Sequence, residues 1–208
     1  MAPVPAARRL LQDLRNARIL VIHPEVAEGK ALVGQLRRIG CDVRAAWPIP
    51  RELPPGTDTV FVLVDHSGPG DLPWRAENDG PAVIAVVEYE SPTTLSALLD
   101  WHAHGVVQRP IRPSGILSSL VLARHRRGFE TRLGAKVRKL EETLRARREI
   151  EKATRILMAL RGLGEHEAYA MIRDQATARR ESLAVVAGRI IAASDTLGTL
   201  GISLGREG

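Results

Sequence analysis

The chain reads as a doubly wound α/β domain followed by an all-α C-terminal half. Three observations predict this. Short, nearly continuous apolar runs alternate with helical stretches up to residue 123; no proline occurs after Pro113; and the charge balance shifts to strongly basic at Arg124. Apolar strands separated by helices indicate a parallel sheet covered on both faces.

The elements follow in order. Arg18–Ile22 (RILVI) is a buried strand, and Ala31, Leu32, Leu36 and Ile39 then fall at helical spacing and stop at Gly40. Asp42–Ala46 is a second strand, Thr59–Val64 (TVFVLV) a third and Ala82–Val87 (AVIAVV) a fourth. A helix over Thr94–His102 leads to a fifth strand at Gly105–Val107, and Leu117, Leu120, Val121 and Ala123 mark a last helix. Pro48, Pro50, Pro54 and Pro55 stand between strands two and three, so the helix expected there is short or missing. Five such strands suit an α/β flavodoxin-like (receiver-like) domain.

Beyond it, Leu133, Val137, Leu140 and Leu144 alternate spacings of four and three, a coiled-coil seam of about two heptads that predicts a dimer. A single amphipathic helix packed on its own domain is the alternative. Three helices follow. The first carries Ile156, Leu157, Met158 and Leu160 and stops near Gly162–Gly164; the second starts at Glu165 with Ala168, Ile172 and Ala176 on one face. The third starts after Ser182, an N-cap residue, and repeats Leu183, Val186, Ala187, Ile190 and Ile191. The expected divisions are an N-terminal segment 1–17, an α/β domain 18–123, a coiled-coil helix 124–149, a three-helix domain 150–194 and a flexible Gly-rich tail 195–208.

The single cysteine, Cys41, rules out an internal disulfide, and the longest apolar runs, Val60–Val64 and Ala82–Val87, are far too short for a bilayer. No signal-peptide core follows Arg8 and Arg9, so the expected location is the cytoplasm, with no membrane partner. Aromatics make up only 3%, which argues against recognition by platforms of exposed rings. The net charge of +6 is unevenly spread. Residues 1–123 hold 12 Lys/Arg against 13 Asp/Glu, whereas residues 124–194 hold 17 against 9, a local excess of +8. Such a confined basic segment suits a polyphosphate partner; a solvated Arg-rich surface is the plain alternative.

Catalytic patterns fail one by one. Gly201-Ile202-Ser203-Leu204-Gly205 matches a nucleophile elbow by letter, but only three residues follow it, leaving no room for the helix an elbow needs. The histidines are scattered, with one cysteine and no HExxH, so no metal site is expected. There is no Walker A loop and no dinucleotide fingerprint, and no cofactor is expected. A phosphorylatable receiver needs an acidic pair after strand one for Mg²⁺, an aspartate after strand three, a hydroxyl after strand four and a lysine after strand five. Here Asp65 stands at the acceptor position, but His23-Pro24 replaces the acidic pair, Glu88 the hydroxyl and Arg109 the lysine. His23, Pro24, Asp65, Glu88 and Arg109 therefore outline a degenerate phosphoacceptor pocket, and the chain reads as no enzyme.

Residues 149–191 carry Ile150 with Ala153, the Ile156-Leu157-Met158 run, Gly164, Glu167-Ala168, Ile172-Arg173, Ala176 and Ala187. This pattern resembles the ANTAR domain, a three-helix module of antitermination regulators. Further stretches are Arg38-Ile39-Gly40-Cys41 with Val43-Arg44, Trp47-Pro48, Val87–Pro92 (VEYESP) and His104-Gly105-Val106. With them the whole chain resembles the AmiR-type aliphatic amidase regulators, except in the loop Ser67–Gly80 and the tail. The resemblance implies binding to stem-loops of a nascent leader RNA, which blocks terminator formation. It also implies restraint by a periplasmic-binding-protein-like amide sensor of AmiC type. In this segment Lys152, Arg155, Arg173, Arg179 and Arg180 are the expected RNA contacts, since a basic helical face grips loop phosphates and base edges. Ala153 and Ala176 serve by smallness, in the core or against a partner. Two modules joined by the seam would raise avidity.

A DNA-binding response-regulator-like factor is the main alternative, but its recognition helix needs a polar leading face, and Leu183-Ala184-Val185-Val186-Ala187 suits packing instead. A pure scaffold is disfavoured by the +8 cluster.

Overall fold

The computed structural model describes residues 12–64, 72–74 and 80–199. Asp65 and the Gly201–Gly205 stretch lie outside the described residues, as does most of the N-terminal segment. The chain divides into two compact units between Gly134 and Ala135.

The elements are β1 (Arg18–Ile22), α1 (Ala27–Ile39), β2 (Asp42–Ala46), β3 (Thr59–Leu63), β4 (Ala82–Val87), α2 (Pro92–Asp100), β5 (Gly105–Gln108), α3 (Pro113–Arg161), α4 (Glu165–Arg179) and α5 (Leu183–Thr199). All strand pairings are parallel and the order is β2-β1-β3-β4-β5, the doubly wound flavodoxin-like order and the fold of a receiver. Registers such as Ile19↔Thr59, Phe61↔Ile84 and Ala85↔Val106 align the apolar runs, so the period-2 alternation fills both faces. Ile19, Val21, Phe61, Ile84 and Val86 point to one face with Leu32 and Leu36 of α1 and Ile116, Leu120 and Ala123 of α3. Leu20, Ile22, Val60, Val62 and Val83 point to the other, against Leu72 and Trp101, with Ala46, Ile49 and Leu53 beside them. The proline-punctuated stretch between β2 and β3 holds no helix, as expected.

Local chemistry ends α1 at Gly40, where the sequence predicts, while α2 lies two residues earlier than the expected Thr94–His102. Gly40 takes φ 105°, open to glycine at little cost, and the N–H groups of Gly40 and Cys41 reach back to Arg37 and Leu36 carbonyls. The Cys41 thiol is buried in the same cluster. Ser91 caps α2 by accepting the Thr94 N–H at 3.1 Å, with Pro92 in its first turn.

Two differences from the sequence reading concern α3 and α5. The last helix of the α/β domain, the seam helix and the first C-terminal helix are one continuous element, because nothing between Arg124 and Arg161 supplies a stop: no proline occurs there. Irregular backbone is confined to Ser114 and Gly115 at its start. Helix α5 runs to Thr199, into the stretch read as tail.

Two polar clamps tie α3 to the sheet of its unit. Arg124 is largely buried and bonds Asp13 at 3.1 Å, Asp58 at 2.5 Å and the Thr59 hydroxyl at 3.2 Å. Burial works against its charge, but Asp13 and Asp58 outweigh that and raise its pKa. Arg124 opens the basic segment in sequence yet belongs to this core-side network. The second clamp is His104: its Nδ1 accepts the Val83 N–H at 3.1 Å and its Nε2 sits 3.0 Å from Glu130. Accepting at Nδ1 makes Nε2–H the donor and the ring neutral. Burial accordingly lowers its pKa, outweighing the opposing pull of Glu130.

The C-terminal unit has a thin core of Ala153, Ile172, Ala176, Val186 and Ala187, flanked by Ile150, Leu157, Leu183, Ile190 and Ile191. Ala153 and Ala176 are thus core residues whose smallness lets helices approach. Glu167 accepts the Gly164 N–H at 3.0 Å at the start of α4, and Ser182 accepts the Val185 N–H at 3.3 Å at the start of α5. Among the described residues, no helix is long and apolar enough to cross a membrane.

Candidate functional site

Each unit holds one candidate. In the first, the sheet's C-terminal edge brings His23, Pro24, Glu88 and Arg109 to the strand ends where a receiver keeps its chemistry. His23 is buried; its Nδ1 lies 3.0 Å from the Pro24 carbonyl, and its Nε2 has no partner among the described residues. Gly29 of α1 approaches so closely that a Cβ there would meet the Pro24 oxygen at 2.6 Å and His23 Nδ1 at 2.7 Å. The helix start therefore presses on the strand end.

Arg109 does not project into this edge alone. Its Nε bonds Glu28 at 2.5 Å and its Nη1 bonds Glu88 at 3.3 Å. Glu28 also accepts the Ile111 N–H at 2.9 Å. Burial opposes the Glu28 charge, but the Ile111 N–H and Arg109 outweigh it, so its pKa is lowered. The guanidinium and two carboxylates thus satisfy one another. Glu28 was not singled out in the sequence: it lies 81 positions from its partner, and only its place in the first turn of α1 hinted at a role. No cluster of three or more potential metal ligands occurs among the described residues.

In the second unit the five expected RNA contacts all lie at the surface. Lys152 of α3 lies 3.7 Å from Asp195 of α5, and Arg173 pairs with its neighbour Asp174 at 3.3 Å. Arg155, Arg179 and Arg180 pair with no acid in any described ion pair; Arg180 caps α4 with φ 55°. Arg155 also lines a groove of about 900 Å³ between α3 and α4, with Ile150, Met158, His166 and Tyr169.

The seam residues stand exposed on α3: Leu133 at 50%, Val137 at 45%, Leu140 at 63% and Leu144 at 55%. Apolar side chains this open are not packed on their own unit. Arg145–Glu149 and Arg147–Glu151 pairs flank and follow the seam at 3.1 and 3.0 Å.

Comparison with known proteins gives two family matches: "AmiR, N-terminal" over residues 17–124 and "ANTAR domain" over residues 138–191. The chain is 33% identical to the aliphatic amidase regulator of Pseudomonas aeruginosa over 89% of this chain and 96% of that protein. Among solved structures it is similar to the response regulator ChrA of a heme-sensing two-component system (19% identity, 90% of this chain, 94% of that one, TM-score 0.42). A response regulator from Burkholderia pseudomallei is another (16% identity, 92% and 100% covered, TM-score 0.39).

Proposed function

The chain belongs to the aliphatic amidase regulator family, with an AmiR-type N-terminal domain and an ANTAR domain, and from that premise we propose that it is a transcription antitermination regulator. It binds stem-loops of a nascent leader RNA, prevents terminator formation and controls an amide-utilisation operon. It acts in the cytoplasm as a homodimer joined along Leu133, Val137, Leu140 and Leu144. An amide-sensing partner holds it inactive.

The observation that carries this is the coincidence of three things in one segment. The ANTAR match at 138–191 covers the three-helix unit, those residues hold 12 Lys/Arg against 8 Asp/Glu, an excess of +4, and their cations stand at the surface. Lys152, Arg155, Arg173, Arg179 and Arg180 are its proposed phosphate and base contacts. In the N-terminal domain, Arg109 held between Glu28 and Glu88 supports a receiver fold that signals by contact with a protein rather than by phosphoryl transfer. The DNA-binding alternative loses ground because Val186 and Ala187, early in α5, are buried in the core.

The test is gel-shift binding to the two-stem-loop leader RNA upstream of the neighbouring operon, against duplex DNA of the same sequence across a salt series. Selective RNA binding is expected. Equal binding to DNA, or no RNA binding by free protein, sinks the proposal.

A further inference from the structure

Tyr169 is the one aromatic residue in the sequence from 135 to 208. The core of its unit is built from alanine and branched aliphatic residues instead, and Tyr169 is left 42% exposed. A ring buries more area than any aliphatic side chain, so keeping it out of a thin core forgoes stability the unit could use. What it faces is the groove between α3 and α4, whose volume of about 900 Å³ has an apolar floor from Ile150 and Met158 and polar walls.

The walls differ in what they leave available. Arg147 is tied to Glu151, and the Thr154 hydroxyl donates to the Ile150 carbonyl at 2.8 Å, leaving its oxygen to accept. Arg155 is in no described ion pair. On α4, His166, Tyr169 and Arg173 follow one another at spacings of three and four, one stripe of a ring donor, a π face and a cation. A groove with an apolar floor, one aromatic ring, a guanidinium and hydrogen-bonding groups, among them the Glu151 and Glu165 carboxylates, offers what an unpaired base requires. The low aromatic content argues against a platform of several rings, but one base needs one ring.

A second copy's helix is the competing occupant. After Leu144 the next positions at seam spacing are Arg147 and Glu151, an exposed ion pair that a packed helix would bury at a desolvation cost. The apolar seam therefore ends at Leu144, level with the first groove residues Thr143 and Ala146, and the first seam positions inside the groove, Arg147 and Glu151, are charged.

We propose that this groove receives one unstacked nucleobase of the RNA loop, stacked on Tyr169, with Arg155 as donor to its edge or flanking phosphate. The proposal rests on the RNA-binding function above and names the site within it.

The experiment selects, with full-length wild-type protein, from RNA hairpins of fixed stem and randomised loop. The enriched hairpin then carries 2-aminopurine at each loop position in turn. One position is expected to change fluorescence on binding, and Tyr169→Ala to abolish that change and weaken binding about ten-fold, while Tyr169→Phe stays within about two-fold. Circular dichroism confirms that helicity is kept; if Tyr169→Ala loses it, Tyr169→Leu, apolar but without a π face, replaces it with the same expectation. Unchanged RNA affinity and no responding position overturn the groove assignment while RNA binding stands. Failure of the wild type to enrich any hairpin overturns both. Loss of the dimer in sedimentation on Tyr169→Ala assigns the groove to a second copy and overturns the proposal.

Discussion

The two units differ in how they hold cations: the helical unit pairs some of them at its surface, as in Arg145–Glu149 and Lys152–Asp195, and leaves others in no described ion pair. In the sheet unit the key cations answer acids of the same unit: Arg124 meets Asp13 and Asp58, and Arg109 meets Glu28 and Glu88. In the helical unit Arg155, Arg179 and Arg180 enter no described ion pair and stand in solvent. The sheet unit also has apolar layers on both faces of its sheet, where the helical unit has one thin cluster of alanines and branched aliphatic residues between helices. The first arrangement suits a body that presents a shape, the second a surface whose charge is completed by something outside the chain.

The comparison can be broken most forcefully at the core. Phe61→Ala should destabilise the sheet unit by roughly 3–5 kcal/mol. All three tryptophans, Trp47, Trp74 and Trp101, precede residue 135, so their fluorescence follows that unit in a urea titration. A fall in the fluorescence midpoint is expected while late helical ellipticity persists; a shared shift of both signals would join the units into one cooperative body.

Next comes the contrast between held and free cations. Arg124→Ala should cost about 1–2 kcal/mol of sheet-unit stability, because the largely buried guanidinium and its bonds to the partly exposed Asp13 and Asp58 are lost, with RNA affinity unchanged. Arg179→Ala and Arg180→Ala should reverse this. Stability stays within about 0.5 kcal/mol, RNA binding weakens, and the logarithmic salt slope falls by about one per residue. If Arg124→Ala weakens RNA binding as much as either, the distinction drawn from burial fails.

The smallest effect is on pH. His104 and Glu28 both have lowered pKa values in the folded state. Each therefore contributes stability that is complete above its unfolded pKa and lost as pH falls through the folded one. The sheet unit should weaken on acidification from neutral, first through His104 and then, below the ordinary carboxylate range, through Glu28. Imidazole NMR should show His104 titrating below its ordinary value with the proton on Nε2; titration above it would refute the Val83 clamp.

Much of this was readable in the sequence. Continuous apolar runs announced a doubly covered parallel sheet, prolines 48 to 55 announced a short or missing helix, and Gly40 and Ser182 marked helix ends, because each signal acts within a few residues. The Leu133–Leu144 spacing was legible for the same reason, and the four side chains are exposed on α3. What was missed is long-range. Glu28 meets Arg109 across 81 positions and Arg124 meets Asp13 across 111, and no periodicity encodes such partners. Charge counting placed Arg124 in the basic segment because it sees sign and not burial. The groove beside Tyr169 was likewise invisible, since it exists only once α3 and α4 are side by side.

The buried thiol has a practical corollary. Cys41 is the chain's sole cysteine, and burial raises its pKa, with Arg124 and Asp58 pulling in opposite directions. Thiolate fraction and access both govern alkylation, so slow reaction of the native protein with maleimides and nitroxide reagents is the expected outcome of a thiol titration. A cysteine introduced by Leu140→Cys or at an exposed arginine would accept a fluorophore or spin label alone. The wild-type background then needs no cysteine removed before distances along the seam or across an RNA complex are measured.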